Sequence, residues 1–151
     1  MKKRIVLLTT LAAMMAASMS LFSGVAQAKP TIGTKADAKC LAKAAKTVEQ
    51  PGFNPADYAF HGGTEGNDDF TGKATAGAEV FCGFGGVDGI GNLDVGDIFL
   101  AGDGDDGVGY NSGTVYGGAG NDVLGDNYGT FYGEAGEDYV LFNYGGTFVQ
   151  E

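Results

Sequence analysis

From Gly62 onward, apolar residues return at a fixed phase. Phe70, Ile90, Val108, Leu124 and Val140 each stand two places after an aspartate and four places after a glycine. The units that carry them begin at residues 63, 83, 101, 117 and 133, with separations of 20, 18, 16 and 16 residues. Their fourth position is always glycine (Gly66, Gly86, Gly104, Gly120, Gly136) and their sixth always aspartate (Asp68, Asp88, Asp106, Asp122, Asp138). Glycine gives the backbone freedom that a tight turn needs, and the apolar eighth position predicts a short strand with its side chain turned inward. Between these units lies a second half-turn, clearest in Gly109–Tyr116, Gly125–Tyr132 and Leu141–Phe148. In that register Cys82, Leu100, Tyr116, Tyr132 and Phe148 form a second apolar column. Each repeat therefore reads as turn, strand, turn, strand. One such rung cannot bury its own apolar side chains, so repeats of this kind must stack. The expectation is an all-β chain of about five rungs, two parallel sheets around a thin core. The earlier second half-turns, residues 71–82 and 91–100, are longer and must carry bulges or loops.

Ahead of the repeats the period changes. Ala36, Cys40, Leu41, Ala44, Ala45 and Val48 share one face of a helix predicted over Thr34–Gln50, with Lys35, Lys39, Lys43 and Lys46 largely elsewhere. Thr34 and Asp37 stand in capping-box spacing, and Pro51-Gly52 ends the segment. A solenoid end left open exposes unpaired strand edges, so this helix is expected to cap the first rung.

The N-terminus reads as a processing signal. Lys2, Lys3 and Arg4 precede an apolar run from Ile5 to Phe22, and Val25-Ala26-Gln27-Ala28 closes it. This is the layout of a Sec-type secretory signal with cleavage after Ala28. The run is short for a retained membrane span, and no later stretch is apolar enough to enter a bilayer. The chain thus divides into a signal (1–28), a lead and capping helix (29–60) and a solenoid (61–151). In an oxidising compartment the two cysteines, Cys40 and Cys82, are expected to pair. The loop so closed is worth roughly 3–4 kcal/mol in the chain-entropy model.

Charge narrows the partners. The mature chain holds six basic and nineteen acidic residues, and residues 51–151 hold seventeen carboxylates against Lys73 alone. Such a surface repels nucleic acid and anionic lipid and attracts cations. Twenty-five of the twenty-eight glycines lie between Gly62 and Gly146 without a period of three, which excludes collagen.

These units resemble the glycine- and aspartate-rich nonapeptide of the RTX (hemolysin-type) calcium-binding proteins, most closely at Gly62–Asp68 and Gly117–Asp122. The resemblance covers about residues 60–148. It implies a right-handed parallel β-roll that binds Ca2+ through turn carbonyls and the sixth-position aspartates, here Asp68, Asp88, Asp106, Asp122 and Asp138. Asn67, Asp105 and Asn121, one place earlier, are further candidate oxygen ligands. The chemistry is consistent: calcium takes six to eight hard oxygens in loose geometry. Stacked carboxylates about 4.8 Å apart repel unless something bridges them. Two departures matter. The second half-turn has Thr114, Thr130 or Gly146 where an aspartate would stand, so one row of at most about four inter-rung sites is expected, with Val87 weakening the gap at Asp88. A Sec-type signal also differs from the dedicated export route of many such proteins.

No catalytic set emerges, and the chain is not expected to be an enzyme. A Ser-His-Asp arrangement would require His61 and Ser112, which nothing brings together, and the periodicity of the carboxylates fits calcium turns better than a glycosidase pair. Asn111, Asn127 and Asn143 read as a structural amide ladder. The functional expectation is a secreted calcium-binding protein that folds or stiffens around a row of ions. The alternatives are a cell-surface adhesion or self-associating matrix scaffold, and an ice-binding face at Thr114, Thr130 and Thr147, the last of these out of register.

Overall fold

The computed structural model describes residues 33–48 and 50–150. The expected signal peptide, residues 1–28, lies outside them, as do the start of the lead and Glu151. A helix, α1 (Lys35–Thr47), is followed by a 3-10 turn at Pro55–Asp57 and ten strands. The strands are β1 (Ala59–Gly62), β2 (Glu79–Gly85), β3 (Gly89–Leu93), β4 (Ile98–Asp103) and β5 (Gly107–Asn111). They continue with β6 (Thr114–Ala119), β7 (Val123–Asn127), β8 (Thr130–Ala135), β9 (Tyr139–Asn143) and β10 (Thr147–Gln150).

All pairings are parallel. One sheet runs β1-β2-β4-β6-β8-β10 and the other β3-β5-β7-β9, with a bridge between Asp69 and Gly89 extending the second sheet by one step. The chain is therefore a parallel β-solenoid of about six turns with one helix N-terminal to it. The additional strand beyond the five counted repeats is β1, which precedes the first glycine-aspartate turn and so carries no motif to count.

The eighth-position column points inward as expected. Ile90, Val108, Leu124 and Val140 stand in register in the second sheet, and Phe70, Ile90, Val108 and Leu124 are buried. Their partners across the core are Phe81, Phe99, Val115 and Phe131, with Phe148 stacked on Phe131 at 5.2 Å. The column Cys82–Leu100–Tyr116–Tyr132 needs correcting. Its members sit in register but belong to a separate apolar cluster with Val80, Ile98, Cys40 and Ala44, on the face covered by the helix, Val48, Phe53 and Tyr58. Phe148 does not continue that column, because Val149 pairs with Tyr132. The last half-turn runs four residues from Asn143 to Thr147 where the two before it run three, which shifts the register by one. Thr147 accordingly pairs with Thr130, so Thr114, Thr130 and Thr147 are aligned after all.

The helix is fixed at three points. Thr34 and Asp37 form the capping box, and the other oxygen of Asp37 accepts the N–H of Gly62 on the edge strand β1 at 3.0 Å. Gly62 allows this closeness, since a β-carbon there would overlap the Ala36 backbone. Cys40 and Cys82 are disulfide-bonded with a Cα–Cα distance of 5.5 Å. Lys39 and Lys43 lie over the Phe84 ring, which places the basic face of the helix against the acidic solenoid.

Candidate metal centre

The sixth-position aspartates form a continuous ladder along one edge of the solenoid. From Asp88 onward each carboxylate receives the backbone N–H of the aspartate one rung earlier. Asp68 donates to Asp88 Oδ1 at 2.8 Å, Asp88 to Asp106 at 2.7 Å, Asp106 to Asp122 at 2.8 Å and Asp122 to Asp138 at 2.9 Å. Except at Asp106, where Ala101 stands in place of the glycine, each carboxylate also folds back beneath its own turn. A β-carbon on Gly83, Gly117 or Gly133, five residues before Asp88, Asp122 and Asp138, would collide with the Oδ2 atom, so bulk at these positions and this carboxylate placement are incompatible. Every inter-rung gap is thus already bridged by an N–H···O bond. The carboxylates do not need an ion merely to stack.

The second oxygen meets three different fates. At Asp68 it accepts the N–H of Thr64 at 2.6 Å and the Thr64 hydroxyl at 2.9 Å. At Asp138 it accepts the Gln150 side-chain amide at 2.9 Å. At Asp88, Asp106 and Asp122, which are only 2–4% exposed, Oδ2 is buried without any hydrogen-bond partner. An unsatisfied buried polar oxygen is costly, and an ionised one more so. Burial accordingly pushes Asp106 up to about 7, with the charges of Asp122 and Asp88 adding to the rise. Burial likewise pushes Asp122 up to about 6, helped by Asp138, and raises Asp88, helped by Asp68. In each case the accepted backbone N–H opposes the shift without cancelling it.

The fifth-position candidates form a different ladder. Asn67 Oδ1 accepts the N–H of Val87, Asp105 Oδ1 that of Asn121, and Asn121 Oδ1 that of Glu137, at 2.8, 2.8 and 2.9 Å. These side chains are exposed and engage the following rung, so they line the outside of the turn and leave the Oδ2 row to the sixth position.

Sequence reasoning missed a second acidic pair. Glu79 and Asp97, each 1% exposed, open β2 and precede β4 at the start of the other half-turn. Glu79 N donates to Asp97 Oδ1 at 3.0 Å, repeating the device of the main ladder. Here every carboxylate oxygen is satisfied. Asp94 N donates to Asp97 Oδ2, and Thr75 donates to Glu79 through both its N–H and its hydroxyl. His61 stacks on Phe81 and lies 3.3 Å from Glu79, a packed edge residue. Burial pushes Asp97 up to about 6. The signal was an acid two places before an inward phenylalanine, Glu79–Phe81 and Asp97–Phe99, obscured because the glycine spacing ahead of it varies.

The amide ladder is as expected over its buried part. Asn111 donates to Asn127 Oδ1 at 2.9 Å and both are fully buried, while Asn143 ends the row exposed. In the threonine column, Gln50 donates to the Thr114 hydroxyl at 2.9 Å, and Ile98 stands in the rung before. Ser112 donates to the Tyr110 hydroxyl.

The residues fit a hard cation in one respect and limit it in another. Buried carboxylate oxygens without donors call for positive charge, and oxygen donors suit Ca2+. Among the described residues, however, no three His, Cys, Asp or Glu side chains converge on one point. Backbone carbonyls and water must therefore supply most of any coordination shell. Comparison with protein-family models, with curated proteins and with solved structures found no match.

Proposed function

We propose that this chain is a secreted calcium-binding solenoid of the RTX type, in which cations lie against the inner rungs of the aspartate ladder. The observation that carries the reading is the row of buried Oδ2 atoms at Asp88, Asp106 and Asp122, none of which has a donor. Near neutral pH such an oxygen is relieved either by a proton or by a cation. A divalent ion beside each would relieve it and offset the repulsion among seventeen acidic residues downstream of Gln50. Binding to the folded chain alone would then add stability at each site by mass action. Calcium suits this shell better than magnesium, which demands a compact octahedron. Secretion is supported by the Cys40–Cys82 disulfide and the N-terminal signal pattern. Among the described residues no helix is long and apolar enough to cross a membrane.

Equilibrium dialysis of chelator-stripped protein against calcium and, separately, magnesium tests this reading. Saturable uptake of calcium with little magnesium supports it, and no uptake at millimolar calcium removes it.

A second reading, a self-associating extracellular scaffold, is favoured by the last rung. Leu141, Phe142 and Tyr144 are 61, 59 and 55% exposed there, and Tyr144 ends a stack with Tyr128 and Tyr110. Concentration-dependent sedimentation distinguishes it.

A further inference from the structure

The two ends of the aspartate ladder share a feature that its middle lacks. In the first turn the Thr64 hydroxyl reaches two acceptors, Asp68 Oδ2 at 2.9 Å and the carbonyl of Gly66 at 3.2 Å. In the last turn the Gln150 amide nitrogen reaches the equivalent pair, Asp138 Oδ2 at 2.9 Å and the carbonyl of Gly136 at 3.0 Å. The acceptors are the sixth-position aspartate and the fourth-position glycine in both cases. The donors come from unrelated places. Thr64 belongs to the first turn itself, and Gln150 arrives from β10, beyond a register shift that follows Val149. Two independent side chains thus answer the same pair of oxygens. In the three turns between them the same pair recurs as Gly86 with Asp88, Gly104 with Asp106 and Gly120 with Asp122, and there Oδ2 has no donor.

From this we infer that Thr64 and Gln150 are stand-ins for the cation, closing the two end turns with protein donors so that only three turns remain to take ions. A hydrogen-bond donor placed between a carboxylate and a carbonyl supplies the positive end that a cation would otherwise bring. An end turn has a neighbouring rung on one side only, so an ion there would draw on water for the ligands of its open side, and a side-chain donor takes its place. The first turn is closed doubly, by the hydroxyl and by the Thr64 N–H. It is also built differently: its second and fourth positions do not share the positive φ of Gly102 and Gly104, Gly118 and Gly120, or Glu134 and Gly136. The last turn shares the positive φ of the inner turns at Glu134 and Gly136, and Gln150 is what occupies its Oδ2. The count of three replaces the four inter-rung sites that the spacing of the repeats suggests.

The inference rests on the proposed calcium reading, and the test separates the two. Calcium stoichiometry is measured by native mass spectrometry on residues 29–151 with the disulfide intact, for the wild type, Gln150→Ala and Gln150→Glu. Gln150 is exposed on β10, so both variants should fold, and a shared circular dichroism spectrum at saturating calcium verifies this. The expected result is three ions for the wild type and four for each variant, since alanine uncovers the pair and glutamate adds a ligand to it. Three ions in all three proteins would overturn the role of Gln150 and leave the calcium reading standing. Four or more in the wild type would do the same. No ions in any of them would remove both.

Discussion

The N–H of Asp88 donates to Asp106 Oδ1 at 2.7 Å, while Asp106 Oδ2, on the same carboxylate, is buried with no donor at all. One half of the side chain is structural, tying consecutive rungs together. The other half is left with a need that the fold does not meet. The same division holds at Asp88 and Asp122, and it links the solenoid's architecture to its chemistry.

The first consequence is a stability that runs against the usual pH trend when no metal is present. Asp106 and Asp122 are pushed up to about 7 and about 6 in the folded chain, against an ordinary 3.8. Between those values the folded state holds more protons than the unfolded one. Its stability is therefore fully present below about pH 4 and is lost as pH rises through 6 to 7. Asp97, pushed up to about 6, acts in the same sense. Thermal melts in chelator should show Tm falling from pH 5 to pH 8, and saturating calcium should abolish the fall. A metal-free Tm that rises over this window would contradict the burial of these carboxylates.

Replacing Asp106 with asparagine separates the two halves of the side chain. The amide oxygen can still accept the N–H of Asp88, and the buried negative charge at Oδ2 is removed. In chelator at pH 8, Asp106→Asn should be more stable than the wild type by about 1–3 kcal/mol, the usual cost of an unsatisfied buried group. In calcium the order should reverse, with one fewer ion bound. Urea denaturation with and without calcium reads both effects. Equal destabilisation under both conditions would show that the carboxylate matters only for the ladder.

The disulfide holds the helix to the solenoid across 42 residues of chain. Cys40→Ser combined with Cys82→Ser should lower stability by about 4 kcal/mol if the chain-entropy account holds. Both cysteines are also fully buried among Val80, Ile98 and Leu100, so the packing of the helix should suffer as well. Chemical denaturation of the double variant at fixed calcium measures the sum.

Two phenylalanines distinguish the core from the open end. Phe99 is fully buried and packs edge-on against Phe70 at 5.9 Å, so Phe99→Ala should cost about 3–5 kcal/mol. Phe142 is 59% exposed on the last rung, and Phe142→Ala should leave stability within about 0.5 kcal/mol. If the last rung is an association surface, the same change should instead lower the sedimentation coefficient at high concentration.

The sequence exposed the solenoid because one constraint repeats. An aspartate tied to its neighbour and an apolar residue two places later, from Asp68–Phe70 to Asp138–Val140, keep phase through every turn. The helix was equally legible, since Thr34, Asp37 and the cysteine spacing act locally. Where side chains point was harder to read. Phe81 and Cys82 are both apolar and adjacent, and which one faces inward depends on a helix packed over the outer face. Thr147 looked out of register because a single extra residue lengthens the turn after Asn143. The differing fates of the aspartate oxygens left no trace in the repeat. They depend on Thr64 and Gln150, side chains at the two ends of the array that no periodicity connects.

The most direct measurement of the central claim is circular dichroism of residues 29–151, disulfide intact, at pH 7.5 through a calcium titration with magnesium as control. The account predicts a cooperative gain in β signal and in Tm at ~10⁻⁴–10⁻³ M calcium, the range of extracellular sites of this kind, with magnesium ineffective. A chain that is fully β-structured in EDTA, and whose spectrum and Tm calcium leaves unchanged, would contradict it.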